Sequence, residues 1–199
     1  MRLYCATSNL GKLREFRMAL ADSFEVQPLP GSAALEPCEE TGATFEENAI
    51  QKALYYSKHC DGYLFVDDSG LEVDALGGAP GVYSARFAGP DATDDANNRL
   101  LLERMQGVQN RSARFVCVVA LAKSGRLIQT FRGVVEGRLI EEPRGTNGFG
   151  YDPLFFYSPF GCTLGQALVE RKMEISHRGK ALRALRDYLK ERLAKGESP

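Results

Sequence analysis

The chain has 199 residues, of which 44% are apolar, and its 25 lysines and arginines balance 26 acidic residues. This length is enough for one well-buried core, so we expect a single domain over residues 1–199, with room for two lobes. The balanced charge excludes the uniform positive field that holds a protein on nucleic acid or on an anionic membrane, and no apolar run is long enough to span a bilayer.

The five cysteines are an odd number and form neither a CxxC pair nor a Cys/His metal pattern. We interpret them as reduced thiols of a cytoplasmic protein. The two histidines are too few for a His-rich zinc site. The opening MRLYCATSNLGK has no apolar run of signal-peptide length, so we expect a soluble protein.

The N-terminal part of the chain predicts a strand, a polar loop and a helix. RLYCAT is a short apolar run, and in GKLREFRMALAD the apolar residues recur at helical spacing. A second strand is predicted for FEVQPL. A helix follows an irregular stretch, because Thr44 and Glu47 form a capping box and Phe45, Ala49 and Ala53 lie on one stripe.

The middle of the chain predicts more strands. YLFV is expected to be a buried strand that ends at the turn DDSG, and GGAPG enforces a bend further on. DDANNRLLLERMQ predicts a helix, and residues 112–139 predict an antiparallel hairpin that turns at KSGR. From His177 the chain predicts an amphipathic helix whose inward residues are Leu182, Leu185, Leu189 and Leu193. Together these elements predict an α/β fold with a mixed β-sheet flanked by helices.

The TSNLGK sequence at positions 7–12 lies between the first strand and the first helix, where backbone N–H groups and the helix dipole favour an anion. Lys12 adds a charge that can reach a terminal phosphate. The loop is not a Walker A motif, because Gly11 has no partner glycine five residues earlier and Leu13 follows the lysine. An ordinary capped loop is the alternative interpretation.

Carboxylates occur at two predicted loop edges: Asp67 and Asp68 after YLFV, and Glu39 and Glu40 before the Thr44 helix. Such carboxylates, completed by water and substrate phosphate, commonly hold Mg²⁺. Successive strand residues point to opposite faces, so one of the two aspartates is expected to be structural. A solvated turn is the alternative for DDSG.

Three further groups could contact a nucleotide. Lys52 lies one turn beyond Asn48 on the Thr44 helix, although a solvated lysine is the simpler interpretation. FGYD at 149–152 and KMEISHR at 172–178 combine an aromatic ring with cationic donors. A ring can stack on a purine and donors can recognise a 6-oxo group, whereas aromatic-glycine loops also simply fill cores.

In order and spacing, these segments resemble the inosine/xanthosine triphosphate pyrophosphatase family. The motifs that carry the resemblance are TSNLGKLREF, EETGATFEENAIQKA, DDSGLEVDALGGAPGVYSARFAG, GFGYDPLF and KMEISHRGKAL, and they extend over nearly the whole chain. The resemblance implies a two-lobed α/β protein with a substrate cleft between the lobes, typically a homodimer. It also implies Mg²⁺-dependent hydrolysis of ITP, dITP and XTP to monophosphate and pyrophosphate, which keeps deaminated purines out of DNA and RNA.

The resemblance also implies roles for individual residues. Asp68 is the catalytic base and, with Glu40, a ligand of Mg²⁺. The loop at 7–12 and Lys52 hold the triphosphate, Phe149 stacks on the base, and residues near the C-terminus recognise the purine edge. The substrate-binding residues implied are Thr7, Ser8, Asn9, Leu10, Gly11, Lys12, Lys52, Ser69, Phe149, Gly150, Tyr151, Asp152, Lys172, His177 and Arg178.

One position departs from the family pattern, because Gln166 stands where a glutamate is expected. The departure concerns the packing or the outer metal shell near that loop. The residues themselves do not choose between attack at the α- and the γ-phosphorus, and release of pyrophosphate follows from the resemblance alone.

Two other functions remain as alternatives. A non-catalytic nucleotide sensor could lose Glu40 or Asp68, but both acids are present. An RNA-binding protein would need a basic stripe with exposed aromatic residues, and the balanced charge argues against it. We therefore expect a small nucleotide as the partner, and neither a nucleic acid polymer nor a membrane.

Overall fold

The structure is a computed structural model that describes residues 1–196. Within this range the helices are α1 (Leu10–Leu20), α2 (Phe45–Tyr56), α3 (Asp94–Arg104), α4 (Val169–Ile175) and α5 (His177–Ala194). The strands are β1 (Arg2–Cys5), β2 (Glu25–Pro28), β3 (Tyr63–Val73), β4 (Ser112–Lys123), β5 (Arg126–Leu139), β6 (Phe155–Tyr157) and β7 (Cys162–Thr163). No helix in the described range is long and apolar enough to cross a membrane.

All of these strands join one open sheet in the order β2-β1-β3-β4-β5-β6-β7. Strand β1 runs parallel to β2 and β3, and every later pair is antiparallel. The hairpin of β4 and β5 turns at Ser124 and Gly125, which both have positive φ, as a tight two-residue turn requires. The predicted α/β fold with a mixed sheet is confirmed.

The predicted end of the third strand was wrong. Strand β3 continues through Asp67 and Asp68 to Val73 and pairs with β4 over its whole length. The DDSG sequence suggested a turn because its glycine and acids are turn residues. Here, however, Gly70 makes room for a close neighbour, since a Cβ on it would lie 2.2 Å from the hydroxyl oxygen of Ser84. The two carboxylates are therefore in the middle of the sheet.

Helix α2 begins as predicted. The Thr44 hydroxyl accepts a hydrogen bond from the backbone N–H of Glu47, and the Glu47 carboxylate accepts one from the backbone of Thr44. Ala49 and Ala53 are fully buried against the sheet. The small side chains let the helix approach closely, which brings Lys52, on the same helix, towards the central strand.

The apolar core has three parts. Helices α1 and α5 cover one face of the sheet through residues such as Phe16 and Leu185, and α2 covers the other face. A third cluster, with Leu101 and Leu154, lies around α3 and the opposite ends of the long strands. The inward prediction for Leu193 was wrong: the residue is 44% exposed, because the buried stripe of α5 ends at Leu189.

Candidate active site

A cavity lies where the N-terminus of α1, strand β3, helix α5 and the loop before β6 converge. It is a partly open cleft, with a volume of about 600 Å³ when open solvent is included. Ten of the predicted substrate-binding residues line it, namely Asn9, Lys12, Ser69, Phe149, Gly150, Tyr151, Asp152, Lys172, His177 and Arg178.

The loop before α1 is ordered by its own polar side chains. Asn9 caps the helix by accepting a hydrogen bond from the backbone N–H of Lys12 at 3.0 Å, and Thr7 accepts one from the N–H of Asn9. Gly11 permits a close approach, since a Cβ there would lie 2.6 Å from the ring of Phe149. Leu10 is 80% exposed and does not line the cavity.

A chain of buried ion pairs forms the floor of the cavity. Arg178 donates to Asp67 at 2.8 Å and to Glu15 at 2.6 Å, and Lys172 donates to Glu15 at 2.8 Å and to Asp152 at 2.6 Å. Each of these side chains is at most 2% exposed. Because a buried charge is costly unless it is paired, the packing fixes every member of this chain in place.

The ion-pair network extends to α1 and sets the ionisation of its members. The Nζ of Lys12 lies 2.5 Å from Asp67. Burial alone would raise the pKa of Asp67, but Lys12 and Arg178 hold it well below the usual value of a carboxyl group. Burial likewise acts to raise the pKa of Glu15, yet Arg178 and Lys172 lower it, so both carboxylates stay charged.

His177 faces this network as a neutral ring. Burial lowers its pKa well below the usual value, and the neighbouring cations Arg178 and Lys172 lower it further. The imidazole stacks on Phe115 with ring centroids 4.8 Å apart. Its Nδ1 is buried and has no hydrogen-bond partner within residues 1–196, so a ligand atom could supply one.

The ring of Phe149 covers the cations of this network. Its centroid lies 5.0 Å from the Nζ of Lys172 and 5.4 Å from the guanidinium carbon of Arg178. Its backbone N–H donates to Asp152 at 2.9 Å. Tyr151 instead points away into the core, where its hydroxyl donates to the carbonyl of Ser84.

A second charged cluster lies around α2 and the other face of β3. Lys52 donates to Asp68 at 2.7 Å and to Glu40 at 3.1 Å, and Arg86 lies 3.6 Å from Glu40. Asp67 faces Lys12 and Arg178, whereas Asp68 faces Lys52. The two aspartates thus face opposite sides of the sheet, as the alternation of strand side chains predicts, and Lys52 is not a solvated surface lysine.

The chemistry of this cluster fits a divalent cation. Glu40 and Asp68 share one lysine, and the Oδ2 atom of Asp68 is buried without a hydrogen-bond partner in the described part of the chain. Burial raises the pKa of Asp68 although Lys52 opposes the change. Residues 1–196 contain no group of three or more typical ligand side chains, and Mg²⁺ in nucleotide sites commonly needs only one or two carboxylates besides phosphate.

The sequence did not predict a role for Glu15, which pairs with both Lys172 and Arg178. A signal was available, because Glu15 follows Lys12 by three residues and therefore lies on the same side of α1 as Lys12, next to the apolar stripe that contains Phe16. A charge on an apolar helix face indicates a buried partner. Gln166, the one departure from the family pattern, accepts hydrogen bonds from Thr163 and so stabilises a local turn.

Comparison with known proteins identifies close relatives. The model of the Ham1 family matches residues 3–188. A dITP/XTP pyrophosphatase of Acidobacterium capsulatum is 48% identical over 195 residues, which cover 93% of this chain and 96% of the relative. A dITP/XTP pyrophosphatase of an Exiguobacterium species is 50% identical over 186 residues, with 93% and 95% covered.

Solved structures show the same fold. The HAM1 protein of Coxiella burnetii superposes with a TM-score of 0.86 at 39% identity, and the match covers 96% of this chain and 99% of that protein. The Ham1 protein of Staphylococcus aureus gives a TM-score of 0.85 at 38% identity, with the same coverage.

Proposed function

The chain belongs to the Ham1 family, and from this we propose that it hydrolyses the non-standard purine nucleoside triphosphates ITP, dITP and XTP to monophosphate and pyrophosphate. The observation that carries the proposal is that one strand bears two charged clusters on opposite faces. Asp67 anchors buried cations beside an aromatic ring, and Asp68 lies with Lys52 and Glu40. Such hydrolysis removes deaminated purines from the nucleotide pool.

The base end of the cavity favours a 6-oxo purine. Phe149 offers a stacking surface, while Lys172 and Arg178 offer only hydrogen-bond donors, which suit a carbonyl oxygen. The 6-amino group of adenine is itself a donor and could not accept from the N–H groups that the carboxylates leave free, a mismatch that can cost about 10⁴-fold or more in sites built for hydrogen bonding. Because neutral His177 can donate or accept, it adds a contact without adding charge.

The phosphate end is formed by α1 and α2. The N-terminus of α1 and Lys12 attract the phosphate chain, and Lys52 adds a second cation. Glu40 and Asp68 would hold Mg²⁺, which neutralises triphosphate charge when it is bound. Asp68 accepts the proton of the attacking water. The water oxygen bonds to the α-phosphorus as the bond to pyrophosphate breaks.

The test is pyrophosphate release from a panel of nucleotides, with and without Mg²⁺ and excess chelator. We expect rapid release from ITP, dITP and XTP, little from GTP and least from ATP. GTP keeps the 6-oxo group, so its rejection depends on the 2-amino group alone. Orthophosphate as the first product would contradict attack at the α-phosphorus, and full activity in excess chelator would contradict the metal assignment.

We also propose that the protein is a homodimer in the cytoplasm. The family resemblance supports the dimer, and the five free cysteines suit a reducing compartment. Light scattering on the purified protein measures its mass in solution. A monomer at micromolar concentration would contradict the first part of this proposal.

A further inference from the structure

Helix α3 holds the peptide of Gly150, in the middle of the wall that contains the stacking ring. The backbone N–H of Gly150 donates to the carboxylate of Asp94 at 2.6 Å. Its carbonyl accepts a hydrogen bond from the side-chain amide of Asn98 at 2.9 Å. Asp94 and Asn98 are four residues apart and therefore project from the same side of the helix.

The segment that carries Gly150 needs such support. The residues before it, 141–148, are mostly exposed and contain two glycines with positive φ, Gly145 and Gly148. Gly150 itself has φ of +61° and no side chain with which to anchor itself. Phe149, which precedes it, carries the ring that faces the cavity. A shift of the Gly150 peptide would therefore move that ring.

Helix α3 is a firm support because it is fixed to the body of the protein. Thr93 caps its N-terminus. Asn97 is only 3% exposed; it accepts a hydrogen bond from the N–H of Ala88 and donates to the carbonyl of Ala85. Leu101 is fully buried in the apolar cluster below. The packing thus fixes the helix backbone from which the exposed side chain of Asp94 reaches Gly150.

A purely structural role for Asp94 would be to stabilise the helix dipole as an acid in the first turn. Asp95 stands in the same turn and is similarly acidic, and within residues 1–196 its ion pair lies along its own helix, with Arg99. Asp94 differs from it in two respects: it bonds Gly150, and it lines the cavity. Those two differences indicate a role beyond helix stability.

We propose that Asp94 and Asn98 are positioning residues that hold the Gly150 peptide and thereby fix Phe149 and Asp152 against the purine. The inference deepens the proposed function: it assigns part of the discrimination between 6-oxo and 6-amino purines to α3. A loosened wall admits tilted bases, so that the donors of the site no longer reject adenine as strongly.

The experiment compares Asp94→Ala, Asp94→Asn and Asn98→Ala with the matched control Asp95→Ala. In Asp94→Ala, kcat/KM for dITP should fall about tenfold, mainly through KM, and the ratio of dITP to dATP efficiency should fall as well. Asp94→Asn should recover most of the loss, because its amide oxygen still accepts a hydrogen bond. Asp95→Ala should resemble the wild type in both quantities.

A second readout does not depend on activity. Hydrogen exchange of the Gly150 amide, followed by NMR, should accelerate about tenfold or more in Asp94→Ala and stay unchanged in Asp95→Ala. Equal exchange in all variants, or an unchanged dITP-to-dATP ratio in Asp94→Ala, would overturn the proposal. If the wild type fails to hydrolyse dITP, the proposed function is lost, while exchange and the relative binding of dIMP and dAMP still test the support by α3.

Discussion

Asp67 and Asp68 are adjacent residues in different electrostatic surroundings. Because strand side chains alternate, Asp67 lies among Lys12 and Arg178 on one face of the sheet, and Asp68 lies beside Lys52 on the other. Two cations neutralise Asp67, whereas Asp68 has a single lysine, which it shares with Glu40. One carboxylate therefore anchors the cavity, and the other remains available to a proton or a cation.

This difference predicts that the two aspartates titrate on opposite sides of the ordinary value of 3.8. Burial raises the pKa of Asp68, whereas Lys12 and Arg178 lower that of Asp67 despite its burial. Carboxyl-carbon NMR on the metal-free protein should resolve both, and Lys12→Ala should raise the pKa of Asp67. Titration in the reverse order would contradict the assignment.

The lowered pKa of Asp67 determines how the stability of the fold depends on pH. The folded-state pKa of Asp67 lies below its unfolded value of about 3.9, so its ion pairs stabilise the fold above that pH. The contribution disappears only as the pH falls from that value through the folded-state pKa.

Replacing Asp68 with asparagine should separate catalysis from binding. We expect Asp68→Asn to keep nucleotide affinity within about tenfold and to lower turnover by at least ~10²-fold, because the amide cannot accept the proton of water. Single-turnover kinetics and calorimetry measure the two quantities. Glu72→Gln, which removes a carboxylate of the same strand that pairs with Arg114 and not with Lys52, serves as the control. Wild-type turnover in Asp68→Asn would remove this residue from the mechanism.

At the scale of elements, α1 contributes residues both to the loop at its N-terminus and to the buried ion pairs on the floor of the cavity. Its cap residue Asn9 orders the loop, Gly11 gives room to Phe149, Lys12 reaches Asp67, and Glu15 joins Lys172 to Arg178. The spacing of three or four residues places these groups on one side of the helix. A single helix thus links the proposed phosphate-binding loop to the ion pairs on the floor of the cavity.

The two lysines on helices α1 and α2 should act on phosphate alone. We expect Lys12→Ala and Lys52→Ala each to weaken binding of ITP by about tenfold or more and to leave inosine binding nearly unchanged, since their partners are charged oxygens. Arg17→Ala, which removes an exposed cation from α1, is the matched control. Equal losses for inosine and ITP would show that the lysines act through the structure instead.

For the whole molecule, Arg178 joins the core of the fold to the site. It lies on α5 and bonds Glu15 of α1 and both Asp67 and Ser69 of β3, so three elements meet at one guanidinium. The side chain is 2% exposed. We therefore expect function and stability to be coupled at this residue.

Arg178→Ala should lower the free energy of unfolding by about 3–5 kcal/mol, because it leaves Glu15 and Asp67 with one fewer buried cation. Urea denaturation measures the loss. The control Arg186→Ala removes an arginine of the same helix that pairs with its exposed neighbour Asp187, and it should change stability by less than about 0.5 kcal/mol. Similar midpoints for both variants would contradict a buried network that holds the fold together.

The sequence alone determined the order of elements, because caps, hairpin turns and apolar periodicity are local properties. The capping box of Thr44 and the hairpin turn at Ser124 were readable for this reason. The motif residues that line the cavity were likewise recognisable, although their roles came from resemblance to a family.

Only the tertiary structure decided how these residues are paired. Glu15 and Lys172 are 157 positions apart, and no local pattern states that they meet. The continuation of β3 through Asp67 and Asp68 depended on β4 and on cations from distant helices, which together outweigh the turn preference of DDSG. The support of Gly150 by Asp94 also arises from two segments 56 positions apart. Local signals specify which elements form, whereas burial and charge pairing between distant elements determine which side chains share a site.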